Sequence, residues 1–439
     1  MCGIYFTNQD KDTSFDKKFL ERGPNFFKKE SYKSFEMGHS LLSLTGEFTP
    51  QPIQDMNTKL IFNGQIYNYD NFKFSSDSFF ILDEYLKDKS NFWKNLDGEY
   101  AIVIHDMNIN KIIFLTDIFG TKPLYFSINK KNISISSLRS TLEINGHKEI
   151  NKCKPNTIYE FDLSKNELIL IENYFEFNLD QYKNTFEDWH NLFLDSIKKR
   201  FKNLNHDIIL PLSSGHDSGA IASAMEILDI DFYSYSFLRN EHRKVISKRI
   251  LKRFLKNPFK TQFKRNLQDM KLRSNLADHL NNNCDKFFYG AELNLLDING
   301  FDDPGAIGLT HVLKSVQKSN NNIKIVASGQ GGDEIYSNNQ NYTFDKSNPK
   351  YFDSYLKKIF PWQNFFYGTQ ISYLSKEESI GGSFGMETRY PFLDKKLVQE
   401  YLNLTPDLKN KYYKSPITDF LIKTGYPFID NNTKVGFNP

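Results

Sequence analysis

Two apolar runs, each breaking at once into a loop of small residues, limit what the second half of this chain can become. Asp207-Ile208-Ile209-Leu210-Pro211-Leu212 reads as a buried strand. Ser213-Ser214-Gly215-His216-Asp217-Ser218-Gly219 follows, and Ala220 to Leu228 has good helical composition. Strand, small-residue loop and helix in that order point backbone N–H groups and a helix N-terminus at phosphate. The loop lacks the Gly-Lys-Ser/Thr ending of a Walker loop, so its way of holding phosphate differs. Downstream, Ile323 to Ala327 is again strand-like and leads into Ser328-Gly329-Gln330-Gly331-Gly332-Asp333-Glu334. Each loop carries an aspartate, Asp217 and Asp333, which suits opposite sides of a nucleotide–metal site at strand C-termini. Mg2+ prefers carboxylate, water and phosphate oxygens, so both aspartates are candidate ligands. A capped Ser/Asp turn explains either loop alone, but it explains the pair poorly.

At 439 residues the chain exceeds one ordinary core and is expected to form two domains. A formal net charge of +3 makes no case for nucleic acid or an anionic membrane as a general partner. Cys2, Cys153 and Cys284 are far apart and odd in number, which argues against a disulfide framework and for a reducing compartment. No apolar run approaches the ~20 residues of a membrane span. The N-terminus lacks a basic region followed by an apolar stretch. The expectation is a cytoplasmic protein.

Residues 1 to about 175 read mostly as strands and turns. Lys59 to Phe62, Tyr100 to Ile104 and Lys111 to Leu115 are β-rich runs, and Phe79 to Leu86 has helical spacing. A layered α/β arrangement with a mainly antiparallel sheet follows. Cys2 follows Met1 directly. Removal of the Met would put a thiol nucleophile and a free α-amine on one residue, the N-terminal form of an activated nucleophile. Arg22-Gly23-Pro24 reads as a tight loop. Asn63-Gly64-Gln65 is expected at a strand end, where a side-chain amide and a Gly N–H make two converging donors, as an oxyanion hole needs. Taken alone, Asn63-Gly64 is more often a plain turn. Ser76-Asp77 places a carboxylate just before the helix.

In combination, Met1-Cys2-Gly3-Ile4, Arg22-Gly23-Pro24, Asn63-Gly64-x-Ile66-Tyr67-Asn68, Asp77 and Gly120-x-Lys122-Pro123-Leu124-Tyr125 resemble the class II, N-terminal nucleophile glutamine amidotransferases. The two aspartate loops, with Gly385-Met386-Glu387-Thr388-Arg389-Tyr390-Pro391-Phe392-Leu393-Asp394 and Lys434-Val435-Gly436-Phe437, resemble the asparagine synthetase family. That resemblance implies an α/β and α+β two-domain protein. Residues 1–175 would be an Ntn-hydrolase αββα sandwich and residues 176–439 a parallel α/β sheet of the adenine nucleotide α-hydrolase type. It implies that Cys2 attacks glutamine, that Asn63 and Gly64 hold the oxyanion, and that Asp77, with Gln65 and Arg22, binds the substrate. ATP would lie on Leu212, Ser213, Ser214, Gly215, Asp217, Ser218, Ser328, Gly329, Gly331 and Gly332, with Mg2+ near Asp217 and Asp333. An acceptor acid, aspartate first, would be adenylated and then aminated. Glu387 would deprotonate the incoming nitrogen and Lys434 would stabilise late charge. Family members form dimers, so a homodimer is one possible assembly.

Four departures stand out. Leu41 occupies the position of an arginine that clamps the glutamine α-carboxylate in the family, and Gln65 that of a glutamate. Ser214 replaces a loop glycine, and His216 takes a usually apolar or neutral place. The resemblance leads us to expect helices beyond the Lys434 motif that this sequence does not include, which leaves the acceptor open. The basic stretch 239–273 is expected to be a solvated amphipathic helix, with Val245, Ile246, Ile250, Leu251 and Phe254 on its apolar face. RNA binding there is the minor alternative. The leading function is a glutamine- and ATP-dependent amide ligase. Its rivals are the same chemistry on another acid, ammonia-only synthesis, or a non-catalytic regulator.

Overall fold

The computed structural model describes residues 1–429 except Lys11, Lys33, Asn71, Arg239, Asn240, Asn266, Gln268, residues 288–302, residues 339–348 and Lys350. Lys434 therefore lies outside the described residues. The chain divides into two compact units. One comprises Met1–Glu176, Asn283–Phe287 and Glu378–Glu387, and the other Phe177–Asn282, Phe288–Glu377 and Thr388–Pro439. The first unit thus draws on two later segments besides its N-terminal run.

The first unit is built on two six-stranded sheets. In one, Gly3–Thr7 lies between Glu36–Leu41 and Asn132–Ser136, antiparallel to both. In the other, Gly98–Asp106 lies between Thr58–Ile66 and Lys111–Thr116. Side chains alternate across a strand, and the cores follow that period. Ile61, Ala101 and Val103 pack with Ile4, Phe6 and Met37 between the sheets. Their neighbours Leu60, Phe62, Ile102 and Ile104 face the other way, onto Ile81, Leu82 and Tyr85 of the helix Asp77–Lys87. On the far side, Tyr5 and Tyr125 pack against Phe19 and Leu142 from the helices Lys17–Arg22 and Arg139–Ile144. The order is helix, sheet, sheet, helix.

One strand differs from expectation. Asn63 and Gly64 are not at a strand end, because Thr58–Ile66 runs through them with Asn63 opposite Ala101 and Gly64 opposite Tyr100. Gly64 takes φ +139°, and a Cβ there would lie 2.0 Å from Glu99 O. Only glycine fits that bend.

The second unit contains a five-stranded sheet in the order Thr261–Lys264, Tyr233–Phe237, Asp207–Pro211, Ile323–Ala327, Glu387–Arg389. The first four strands pair in parallel. Successive strands move outward from Asp207–Pro211 in one direction, then Ile323–Ala327 joins its other side. That reversal leaves a crevice at the C-terminal ends of the two central strands. The helix His216–Ile227 starts there.

The basic segment forms the helix Arg243–Lys256, but its faces are not as expected. Val245 and Ile246 are buried together with Arg249 and Arg253, whereas Leu251 and Phe254 are exposed. No helix of the described residues is long and apolar enough to cross a membrane.

Candidate active sites

Each unit gathers one group of reactive side chains. In the first, Cys2 begins beside the strand Gly3–Thr7 and is nearly buried. Its backbone nitrogen donates to Asn63 Oδ1 at 2.9 Å, and Leu42 N–H donates to its Sγ at 3.4 Å. Asn63 is fully buried, and its Nδ2 has no hydrogen-bond partner among the described residues. A buried donor left unmatched is costly, which makes this amide a candidate donor to a bound group or a water. Cys2, Gly64, Gln65, Asp77 and Glu387 line one cavity with Leu41 and Phe62.

Asp77 opens its helix, where a negative charge is favoured by the helix dipole. Its carboxylate accepts from Ile66 N–H at 3.1 Å and from Gln65 Nε2 at 3.2 Å. Burial pushes its pKa up to about 7, and the charge of Glu387 adds to the rise. Gln65 also pairs with Thr45 through its side-chain oxygen. Burial raises the Cys2 thiol as well.

Arg22 does not line this cavity. It is buried with Nε on Cys2 O at 3.1 Å and Nη1 on Glu378 O at 3.2 Å, and its Nη2 lies 3.5 Å from the Glu378 carboxylate. Lys122 reaches the same carboxylate at 2.9 Å. Arg22 thus fixes the chain at Cys2. Met1 is present and fully buried, with its amine pushed down to about 5 by burial. In this form the Cys2 nitrogen is a peptide amide. Glu387, expected beside the adenylation chemistry, faces the cavity of Cys2.

In the second unit the two aspartate loops converge. Lys414 Nζ lies 2.8 Å and 2.6 Å from the two oxygens of Asp217 and 2.8 Å from Asp333 Oδ1. Tyr413 OH donates to Asp333 Oδ1 at 3.0 Å. A Cβ at Gly329 would lie 2.9 Å from Asp217 Cβ, and one at Gly332 would lie 2.4 Å from Asp217 Oδ1. The small residues therefore let one loop lie directly on the other. Gly331 takes φ +91°, open to glycine at no cost.

Ser213, Ser214, Gly215, Asp217, Ser218, Ser328, Gly329 and Asp333 all line one cavity there. Leu212, fully buried just past the strand Asp207–Pro211, does not. His216 also borders it, edge-on to Tyr413 at 5.6 Å, and burial pushes its pKa down to about 3. It is a neutral packing ring there.

Arg249 holds the first loop from beneath. Its Nη1 donates to Ser213 O at 2.5 Å and to Gly215 O at 2.8 Å, and its Nε donates to Pro427 O at 2.8 Å. A Cβ at Gly219 would lie 2.2 Å from Arg249 Nη2. The basic composition of 239–273 suggests a solvated face for Arg249, and only Gly219 after the loop hints at its role. Lys414 had no such signal.

The described residues contain no group of three or more His, Cys, Asp or Glu able to hold a metal. The pair Asp217 and Asp333 does fit Mg2+ that keeps water and phosphate oxygens for its other positions. Both carboxylates already converge on one positive charge, that of Lys414.

A near-buried thiol and a buried acid share one cavity, and Asn63, whose amide nitrogen is unmatched, is hydrogen-bonded to the thiol's own residue. Residues 1–188 match the glutamine amidotransferase domain family. Across most of its length the chain is homologous to glutamine-hydrolysing asparagine synthetases. It is 24% identical over 414 residues to a protein provisionally named asparagine synthetase [glutamine-hydrolyzing] 1 in Methanocaldococcus jannaschii, covering 87% of this chain and 71% of the relative. With the asparagine synthetase [glutamine-hydrolyzing] of Mus musculus it shares 22% identity, over 93% of this chain and 78% of the relative. A provisionally named counterpart in Acanthamoeba polyphaga mimivirus is 24% identical over 95% and 81%. Among solved structures, the glutamine phosphoribosylpyrophosphate amidotransferase of B. subtilis covers 53% of this chain and 59% of its own. It shares 15% identity at a TM-score of 0.30, too loose a likeness to argue from.

Proposed function

We propose that this chain is an ATP-dependent amide ligase of the asparagine synthetase type, with aspartate as the acceptor. The observation that carries the reading is the meeting of Asp217 and Asp333, from loops after two different strands, at a single cation. A carboxylate is a poor electrophile, so one of its oxygens must first become a leaving group. Attack of that carboxylate on the α-phosphorus of ATP gives an acyl-adenylate and pyrophosphate. Backbone N–H groups of the loops at Ser213–Ser218 and Ser328–Gly332 hold the phosphates. When bound between Asp217 and Asp333, Mg2+ supplies the charge that stabilises the departing pyrophosphate. Ammonia then displaces AMP, with Lys434 as the candidate late charge stabiliser.

Nitrogen comes from the first unit. Cys2 Sγ attacks a carboxamide carbon, and Asn63 Nδ2 with Gly64 N–H receives the oxyanion. The thiol proton leaves on the departing ammonia, and water resolves the thioester. Loss of Met1 would turn the Cys2 nitrogen, already beside Asn63 Oδ1, into the amine base of the N-terminal nucleophile design. Asp77 meets the donor ammonium.

The test is to incubate the chain with ATP, MgCl2, ammonium and a panel of acids, following pyrophosphate and product mass. Asparagine formed from aspartate supports the reading. Pyrophosphate with a different acid would replace the acceptor, and none with any acid would reject the ligase.

A further inference from the structure

Free glutamine carries two charges on its α-carbon, an ammonium and a carboxylate. The cavity of the Cys2 thiol is equipped for only one of them. Its lining includes the carboxylates of Asp77, Glu387 and, at the rim, Glu47, and no lysine, arginine or histidine among the described residues. Leu41, largely buried, presents an aliphatic side chain to the same cavity. The buried side-chain cations of this unit bonded nearest the thiol, Arg22 and Lys122, are both paired with Glu378, and burial pushes the N-terminal amine beside Cys2 down to about 5, so it is largely uncharged near neutral pH. An α-carboxylate bound beside the thiol would therefore lose its water without gaining a cation, in a space that already holds like charge. An α-ammonium meets two carboxylates there.

We infer that this thiol site takes a cationic carboxamide whose α-carboxyl is masked as an amide or peptide bond, such as an N-terminal glutaminyl residue, in preference to free glutamine. The inference rests on Cys2 being the nucleophile and adds the class of donor. The step balances as for any carboxamide. The Cys2 Sγ–carbonyl carbon bond forms, the C–N bond breaks, and the thiol proton leaves on ammonia. Water then cleaves the thioester, leaving a γ-carboxylate on a donor whose α-amide is intact.

The experiment compares ammonia release by the full chain from L-glutamine, L-glutaminamide and glutaminyl-glycine, with Cys2→Ser as the blank for contaminating hydrolases. The expected result is a kcat/KM for L-glutaminamide at least ~10-fold above that for L-glutamine, which corresponds to about 1.4 kcal/mol. Leu41→Arg should reverse the order by giving the α-carboxylate a partner. If that variant does not fold, the wild-type ratio decides alone. Equal or better use of L-glutamine by the wild type overturns the donor assignment and leaves the nucleophile intact. Ammonia from none of the three overturns the nucleophile reading, and the donor assignment with it.

Discussion

Asn63 turns its two side-chain atoms to different tasks: its oxygen accepts from the Cys2 nitrogen at 2.9 Å, and its buried nitrogen has no partner among the described residues. The first contact holds the residue proposed as nucleophile, and the second leaves a donor open to the oxyanion of a bound carboxamide. Asn63→Ala should therefore lower the rate of carboxamide cleavage by about 10²-fold, the usual loss for one oxyanion donor. Ammonium-dependent product formation should stay near wild type. A variant that loses both activities in parallel would show Asn63 to be structural.

Asp77 titrates near neutrality because burial disfavours its charge. Below about pH 7 it is protonated and a poor partner for an ammonium, so kcat/KM for the donor should rise as pH passes through 7. The stability consequence has the opposite sign. A carboxyl whose folded pKa exceeds its unfolded value keeps its full stability below about pH 4 and loses it as pH rises to about 7. Asp77→Asn should thus be more stable than wild type at pH 8, by at most about 4 kcal/mol, and no more stable at pH 3.5. Urea melts at the two pH values check this. A pH-independent difference would place the effect elsewhere.

Arg249 fixes the carbonyls of Ser213 and Gly215 from inside the fold. A methionine there keeps the length and loses the fork, and lysine supplies only one point of contact. Arg249→Met should raise the Kd for ATP by roughly tenfold or more, in line with about 1.5–3 kcal/mol for a hydrogen bond from a charged group. Calorimetric titration of ATP against the folded variant measures it. Unchanged affinity would leave the arginine a purely structural part.

Lys414 is the cation between Asp217 and Asp333, so an incoming divalent ion must compete with it. Lys414→Met should leave two close carboxylates uncompensated, lowering the melting temperature without metal. Added MgCl2 should then raise that temperature more than it does in the wild type, because ion binding stabilises only the folded state. Identical MgCl2 responses in the two proteins would argue that the lysine does not hold the acidic pair.

What could be read from residue order was mostly local. The strand-loop-helix at Asp207 to Leu228 and the strand before Ser328 form because apolar runs and helical composition lie within a few residues of each other. Cys2, Asn63, Gly64 and Asp77 were legible as a set because the motifs surround them. The tertiary partners were not. Lys414 is 197 positions from Asp217, and no periodicity links them. Arg249 sits in a run of cations whose composition suggests water, yet Gly219 gives it room beneath the loop. The bend at Gly64 was missed because Asn-Gly usually turns a chain, whereas here pairing with Tyr100 carries the strand through it.

Positions 219 and 249 consequently cannot drift separately. A Cβ at 219 would stand 2.2 Å from the Arg249 guanidinium, so any larger residue at the first requires that group to move. Related chains should therefore tend to exchange both together, and anyone redesigning the loop at Ser213–Ser218 must treat the two as a single unit of choice.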